Sequence, residues 1–153
     1  MIKRLDKSLF QNIVANTPLI SVDLIILNKE GKALLGQRLN RPALNYWFVP
    51  GGRIFKDESF EAAFKRITQD ELGIEVNLNE AKFSGVYEHF YDDNFSGSEF
   101  STHYVVHGYT FSLEDKALDL PKVQHSNYKW FSVETLLNEP SVHQYTKNYF
   151  LSR

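Results

Sequence analysis

A carboxylate interrupts the apolar stripe of one predicted helix. Phe60, Phe64 and Ile67 recur at helical spacing, which predicts a helix over residues 59–72 with these side chains toward the core. One more turn along the same stripe reaches Glu71. A carboxylate in this position is either solvated at the helix end or desolvated and paired with a cation. The second alternative predicts a metal site.

The residues around Glu71 favour the metal. Asp70 is its neighbour, Glu58 stands at the start of the predicted helix, and Gly51 and Gly52 allow the backbone to approach a ligand closely. Mg²⁺ takes one or two protein carboxylates and completes its shell with water and phosphate oxygens. This oxygen-rich set therefore predicts a magnesium site that binds a diphosphate.

The segment from Gly52 to Ile74 resembles the Nudix box, G-x5-E-x7-R-E-U-x-E-E-x-G-U. The matching residues are Gly52, Glu58, Arg66, Glu71, Gly73 and Ile74. The chain departs from the box at three positions: Ile67 and Asp70 stand where the family usually has glutamate, and Thr68 where it has an aliphatic residue. The resemblance implies an α/β (α+β) fold, with a mixed β-sheet sandwiched between helices in one domain over residues 1–153.

Two further stretches narrow the resemblance. Residues 45–53 (NYWFVPGGR) and 89–95 (HFYDDNF), together with Ile67, resemble the branch of GDP-mannose mannosyl hydrolases. That branch implies hydrolysis of GDP-mannose, with GDP-glucose as a further candidate. Water attacks the anomeric carbon with inversion and releases GDP and free hexose. A homodimer and one Mg²⁺ per subunit, replaceable by Mn²⁺, are also implied.

The resemblance assigns the metal and the base. A backbone carbonyl at Gly51, the Glu71 carboxylate and Gln124 are the implied metal ligands. His125 is the implied general base, because a histidine near its ordinary pKa of about 6.5 accepts a proton near neutral pH. From the residues alone, Gln124 is an ordinary loop residue and any of the five histidines is an equal candidate.

Arginines are the candidates for neutralising the departing GDP. Charge-assisted hydrogen bonds from guanidinium groups stabilise growing negative charge on a diphosphate. Arg38 and Arg53 match such positions in the resembled branch. Arg66 is a further substrate-binding candidate, and a salt bridge with Glu58 is its alternative role.

Four other side chains are expected at the substrate. Asp23 interrupts an apolar strand, so it lies either on a solvated sheet face or in a cleft, and the resemblance favours the cleft. His89, Tyr91 and Tyr104 alternate along predicted strands, where they could contact phosphate or stack on a base. Sheet packing explains the tyrosines equally well.

The elements that must position these residues follow from periodicity and turn composition. Helices are predicted over 6–16, 59–72, 133–137 and 142–150, and strands over 19–27, 33–38, 47–49, 82–91, 102–111 and 128–131. Asp6 is the expected cap of the first helix, and Gly73 is expected to end the second. Mixed strands and helices favour a layered α/β or α+β domain.

Composition excludes several classes. The formal charge of −2 without a basic run argues against nucleic acid or an anionic membrane as partner. No stretch approaches the roughly 20 apolar residues of a membrane helix, and residues 1–7 are polar, so we expect a cytoplasmic protein. The absence of cysteine excludes thiolate chemistry.

Two other functions stay open at this level. A conventional Nudix pyrophosphatase would attack phosphorus in a nucleotide sugar or nucleoside triphosphate, using Glu58, Asp70 and Glu71 for metals. A catalytically inactive nucleotide-binding module is the alternative of another class, because the box departs from the family at Ile67.

Overall fold

The protein folds around one mixed sheet with helices on both faces. The computed structural model describes residues 4–113 and 125–151. In chain order, the elements are α1 (Lys7–Asn16), β1 (Leu19–Leu27), β2 (Ala33–Arg38), β3 (Trp47–Phe48), β4 (Gly51–Arg53), α2 (Phe60–Leu72), a 3₁₀ turn (Leu78–Glu80), β5 (Lys82–Tyr91), β6 (Thr102–Ser112), β7 (His125–Phe131), α3 (Val133–Asn138) and α4 (Gln144–Asn148).

The sheet is antiparallel except at its centre. The strands run in the order β3-β2-β1-β6-β5, while β4 pairs with β1 and β7 with β2. The central pair, β1 and β6, is parallel in register from Leu19 opposite Tyr104 to Leu27 opposite Ser112. The strand β1 thus lies at the middle of the fold, and a side chain that it directs away from the core can reach elements from both halves of the chain.

Alternation along β2 separates two hydrophobic clusters. Leu34 belongs to the cluster under α2, with Phe64 and Ile67, whereas Ala33 and Leu35 belong to the cluster under α3 and the C-terminal segment. Because successive side chains of a strand point to opposite faces, the two clusters lie on opposite sides of the sheet. This is the predicted sandwich, a single α+β domain.

Most predicted boundaries are confirmed, since 19–27, 33–38 and 82–91 match their strands at both ends. Gly51–Arg53 forms a short strand on β1 that was not among the predicted strands. The last strand begins at His125 and the last helix covers only Gln144–Asn148. No helix among the described residues is long and apolar enough to cross a membrane.

Phe60 is a correction to the predicted core. It is 45% exposed, whereas Phe64 and Ile67 on the same stripe are buried. Phe60 is the first residue of α2 and lies in the turn that starts the helix. Its ring instead packs edge-on against His107 at the helix entrance.

Candidate functional site

One cleft gathers the residues that sequence singles out. It has a volume of about 520 Å³, a size that suits a small-molecule ligand. Its lining includes every predicted site residue except Gln124 and His125, namely Asp23, Arg38, Gly51, Arg53, Arg66, Glu71, His89, Tyr91 and Tyr104. Gln124 lies outside the described residues. His125 begins β7, and its backbone pairs with Arg38 on β2.

The helix α2 brings Glu71 to the cleft. The Ser59 hydroxyl accepts a hydrogen bond from the Ala62 amide at 3.1 Å and starts the helix, and Gly73 ends it in the left-handed conformation at φ 75°. Glu71, in the last turn, is only 5% exposed. Its Oε1 accepts a hydrogen bond from the Gly51 amide at 3.1 Å. The predicted alternative of a solvated helix end is therefore wrong.

One turn before Glu71, the side chain of residue 67 is part of the core. Ile67 is 1% exposed and packs against Gly52, where an added methyl group would lie 3.1 Å from its Cγ1 atom. An aliphatic side chain thus closes the space between α2 and β4. The inner face of α2 offers the cleft one buried carboxylate, that of Glu71.

Asp23 faces Glu71 across the glycine strand. The β1–β4 pairing sets Asp23 opposite Gly51, and a methyl group added at Gly51 would lie 2.5 Å from Asp23 Oδ1. Only glycine permits this approach. The pKa of Asp23 is raised to about 7, because burial and, to a smaller extent, the charge of Glu71 outweigh the hydrogen bond from Tyr149 and the charge of Arg38.

A divalent cation fits this arrangement. Asp23 and Glu71 bring two carboxylates into one enclosed space and repel each other there, and a cation would relieve that repulsion. Oxygen ligands of this kind are those that Mg²⁺ prefers. Among the residues that the structure describes, no three acidic or histidine side chains converge on one point. The protein would thus supply few of the ligands itself.

The acidic residues predicted to form one metal site, Glu58, Asp70 and Glu71, have different partners in the structure. Glu58 accepts hydrogen bonds from Arg66 at 2.7 and 3.0 Å and from the Phe55 amide at 3.0 Å. Burial alone would raise the pKa of Glu58, but these bonds and the charges of Arg66 and Arg53 hold it below its ordinary value. The Asp70 side chain is 57% exposed and lies 3.4 Å from Arg66. Neither carboxylate joins Glu71, which corrects the predicted cluster.

The cleft arginines are held in place by their neighbours. Arg66 forms the salt bridge with Glu58 that was the alternative to a substrate contact, and it also donates to the Arg53 carbonyl at 2.7 Å. The Arg53 guanidinium lies between two aromatic rings, 4.8 Å from Phe10 and 4.7 Å from Phe55. These two phenylalanines gave no functional signal in the sequence.

Arg38 enters the cleft from β2. Its Nε donates a hydrogen bond to the Pro42 carbonyl at 2.9 Å. This bond fixes the side chain and sets the direction of its terminal nitrogens. Burial lowers the pKa of Arg53, with a further lowering by the neighbouring charge of Arg66. The Arg53 guanidinium remains cationic, because an arginine side chain has a very high ordinary pKa.

The opposite wall is aromatic. His89 is 4% exposed, and its ring stacks on Tyr145 with centroids 4.3 Å apart. Burial, with a smaller contribution from the nearby His143, lowers the pKa of His89 to about 4, so the ring is neutral at pH 7. Burial also raises the pKa values of Tyr91 and Tyr104. These groups can act only as neutral hydrogen-bonding and stacking partners.

The C-terminal helix supplies contacts that the sequence did not indicate. The Tyr149 hydroxyl donates to Asp23 Oδ2 at 2.5 Å, and the Tyr145 hydroxyl both accepts from the Phe90 amide and donates to its carbonyl. The Thr146 hydroxyl accepts from the Val49 amide at 3.2 Å. Tyr149 and Asp23 are 126 residues apart in the chain, and a pair so far apart forms no recognisable sequence motif.

Comparison with known proteins identifies the family. A model of the NUDIX domain matches residues 17–151. The chain belongs to the Nudix family. This Nudix domain is a hydrolase, and enzymes of the family generally use divalent metals such as Mg²⁺ and act on small nucleotide derivatives.

Two curated relatives resemble it over most of its length. The low-salt glycan biosynthesis protein Agl8 of Haloferax volcanii is 43% identical over 122 residues, which are 80% of this chain and 76% of the relative. The CTP pyrophosphohydrolase of Escherichia coli K12 is 28% identical over 123 residues, 80% of this chain and 82% of the relative.

Solved structures share the fold at lower identity. The MutT protein from Methanosarcina mazei Go1 superposes with a TM-score of 0.70 at 22% identity, covering 88% of this chain and 92% of its own. The NUDIX domain of Shewanella oneidensis NrtR, complexed with ADP ribose, superposes with a TM-score of 0.65 at 21% identity, covering 95% and 97%. These likenesses establish the Nudix fold.

Proposed function

We propose that this Nudix domain hydrolyses GDP-mannose, with GDP-glucose as a second candidate substrate, to GDP and free hexose. Water attacks the anomeric carbon with inversion, so the bond between that carbon and the bridging oxygen breaks and the oxygen leaves with GDP. The observation that carries the proposal is the inner face of α2, where Ile67 is buried and Glu71 is the buried carboxylate. A wall with one such carboxylate suits a single metal bound to a diphosphate better than the several metals used for attack at phosphorus.

The relatives add support for the substrate class. The 43% identical Haloferax volcanii protein is named for glycan biosynthesis, a process that consumes activated sugars. A nucleotide sugar presents a diphosphate for the arginines and a hexose for the aromatic wall. The cleft contains both kinds of surface.

Three groups of the protein would bind the divalent metal under this proposal. The Gly51 carbonyl, Glu71 and Gln124 would hold one Mg²⁺, or Mn²⁺ in its place, together with oxygens of the diphosphate. When bound, the ion supplies positive charge that stabilises the departing GDP. The buried Glu71 carboxylate and the repulsion between it and Asp23 support this assignment.

The chain's own residues would carry out the remaining steps. Arg38 and Arg53 donate hydrogen bonds to the diphosphate as its negative charge grows. His125 removes a proton from the attacking water through an imidazole nitrogen. Its support is the pairing of His125 with Arg38 across β2 and β7, which sets its backbone beside a residue of the cleft.

Substrate contacts fall to the remaining cleft residues. Asp23, Arg66, His89, Tyr91 and Tyr104 are proposed to bind the nucleotide or the sugar. Arg66 does so in addition to its salt bridge with Glu58, because its exposed edge still lines the cleft. His89 and the tyrosines contribute neutral donors and ring faces.

Hydrolysis in oxygen-18 water tests the reaction. GDP-mannose is incubated with the protein and Mg²⁺ in labelled water, and both products are analysed at once by mass spectrometry. The proposal expects label in mannose and none in GDP. Proton NMR should show that the first mannose formed is the anomer opposite to that of the substrate.

A conventional pyrophosphatase is the second candidate, and the 28% identity to the CTP pyrophosphohydrolase favours it. Such an enzyme would place the label in GMP or mannose 1-phosphate, and this result would replace the proposal. Binding of GDP-mannose without turnover in excess Mg²⁺ would instead indicate an inactive nucleotide-binding module.

The remaining expectations also belong to the proposal. We propose a cytoplasmic homodimer in which residues 1–153 form one domain, with neither nucleic acid nor membrane as partner. Gel filtration with light scattering tests the assembly. A mass of about twice the 17.8 kDa of the chain supports the dimer, and a mass equal to the chain contradicts it.

A further inference from the structure

Tyr149 holds a carboxylate of the cleft from behind. The residue follows the last turn of α4, and its hydroxyl donates to Asp23 Oδ2 at 2.5 Å. Asp23 lines the cleft, whereas Tyr149 lies behind it and forms no part of that lining. Any influence of the Tyr149 hydroxyl on a ligand must therefore pass through Asp23.

The two oxygens of Asp23 are held differently. Oδ2 accepts the bond from Tyr149, and Oδ1 lies against the backbone of Gly51. The carboxylate is thereby restricted to one orientation. Without the hydroxyl, Oδ2 would lose its partner, and the group would be free to rotate toward Arg38, whose charge acts on it.

The position of Tyr149 is itself well determined. Its ring packs edge-on against Tyr87, with centroids 4.6 Å apart, and both rings lie over Gly108, where an added methyl group would be 3.5 Å from each. The helix before it is attached to β5 through Tyr145 and to the chain after β3 through Thr146. A rigid support of this kind can fix the orientation of its partner.

We propose that Tyr149 is a positioning residue, which orients Asp23 for its contact with the nucleotide sugar. The inference rests on the proposed function, in which Asp23 binds the substrate. Tyr149 touches neither substrate nor metal, and its contribution to turnover is made only through the Asp23 carboxylate.

A double-mutant cycle tests this dependence. Tyr149→Phe removes only the hydroxyl, and Asp23→Ala removes the carboxylate that accepts its hydrogen bond. We expect Tyr149→Phe to lower kcat/KM about tenfold in the wild-type background and less than twofold in the Asp23→Ala background, because contacting residues are non-additive. Equal losses in both backgrounds, or no loss in either, would overturn the inference.

A matched control variant shows whether the loss of activity is specific to the hydroxyl of Tyr149. Tyr109→Phe removes a hydroxyl from the face of β6 that packs on Phe64 under α2, away from Asp23, and should change kcat/KM less than twofold. Each variant is assayed well below its unfolding temperature. A structural role for Tyr149 would lower stability but leave the two losses additive.

The proposed function is tested separately in the same experiment. GDP-mannose, ADP-ribose and CTP are assayed in parallel with the wild-type protein. Turnover of only ADP-ribose or CTP would contradict the proposed function, and the cycle would then be measured on that substrate. If none is hydrolysed, the proposed function fails, and the cycle is measured on the dissociation constant of GDP by calorimetry. Additive losses there also overturn the positioning role.

Discussion

The two walls of the cleft are built in opposite ways. The α2 wall is charged, and its ion pair joins residues that are close in the chain, Glu58 and Arg66. The aromatic wall, defined by His89 and Tyr91, is uncharged, and Tyr145 of the C-terminal helix packs against both rings from outside the cleft lining. The comparison shows that an ion pair between nearby residues holds one wall, whereas ring packing between distant parts of the chain holds the other.

The largest expected effect comes from neutralising the buried carboxylate of the α2 wall. Glu71→Gln keeps an acceptor for the Gly51 amide, so the fold should persist. Activity with Mg²⁺ should fall on the order of 1000-fold, because the variant removes the charge of the proposed metal ligand. Steady-state kinetics and metal titration by calorimetry measure both effects.

Glu61→Gln is the matched control for this variant. Glu61 lies in the first turn of the same helix and is exposed, so neither activity nor metal binding should change. Full Mg²⁺-dependent turnover in Glu71→Gln would rule out the metal assignment and leave the α2 wall a purely structural one.

Removing the proposed base should separate chemistry from binding. His125→Ala is expected to lower kcat on the order of 100-fold, within the usual range for general-base catalysis, with KM within a few-fold. This outcome would mean that both walls bind the substrate while β7 supplies the proton acceptor. A parallel loss of substrate affinity, measured by calorimetry with GDP-mannose, would instead make His125 part of a binding wall.

The aromatic wall should make the protein sensitive to acid. The pKa of His89 is lowered from 6.5 to about 4, so the unfolded chain binds its proton first as pH falls. His89 therefore destabilises the fold below pH 6.5, by about 2 kcal/mol at pH 5. Urea unfolding of wild type and His89→Phe between pH 7 and 5 measures the difference.

The ring of phenylalanine retains the stacking on Tyr145 but does not titrate. Comparing the variant with the wild type cancels the contribution of Asp23, whose raised pKa acts in the same range with the opposite sign. The stability advantage of His89→Phe should grow as pH falls. A constant difference across the range would show that His89 is not held neutral by burial.

The smallest effect concerns the ion pair of the α2 wall. Glu58→Gln leaves the partly buried Arg66 with only the exposed Asp70 as a counter-charge and should cost about 1 to 2 kcal/mol of unfolding free energy. Glu75→Gln breaks the exposed pair with Lys65 and should cost less than about 1 kcal/mol. If urea unfolding gives equal costs for both, the Glu58 pair contributes no more than a surface pair.

Sequence reasoning was strongest where structure is local. The bounds of β1 and β2 and the helix caps Asp6 and Gly73 depend on residues a few positions apart, and they match the structure closely. The same reasoning fails for Phe60, because periodicity gives the direction of a side chain but not its exposure in the first turn of a helix.

The functional site shows the same difference between features set by nearby residues and features set by the tertiary structure. Sequence spacing by itself brought Glu71 to the apolar stripe of a helix, and the motif located Arg66, because both follow from residues on one short segment. Tertiary structure alone decided that Glu58 pairs with Arg66 rather than joining Glu71. It also decided that Tyr149 supports Asp23. The physical reason is that partner choice depends on distance and desolvation in the folded chain, which spacing along a sequence does not encode.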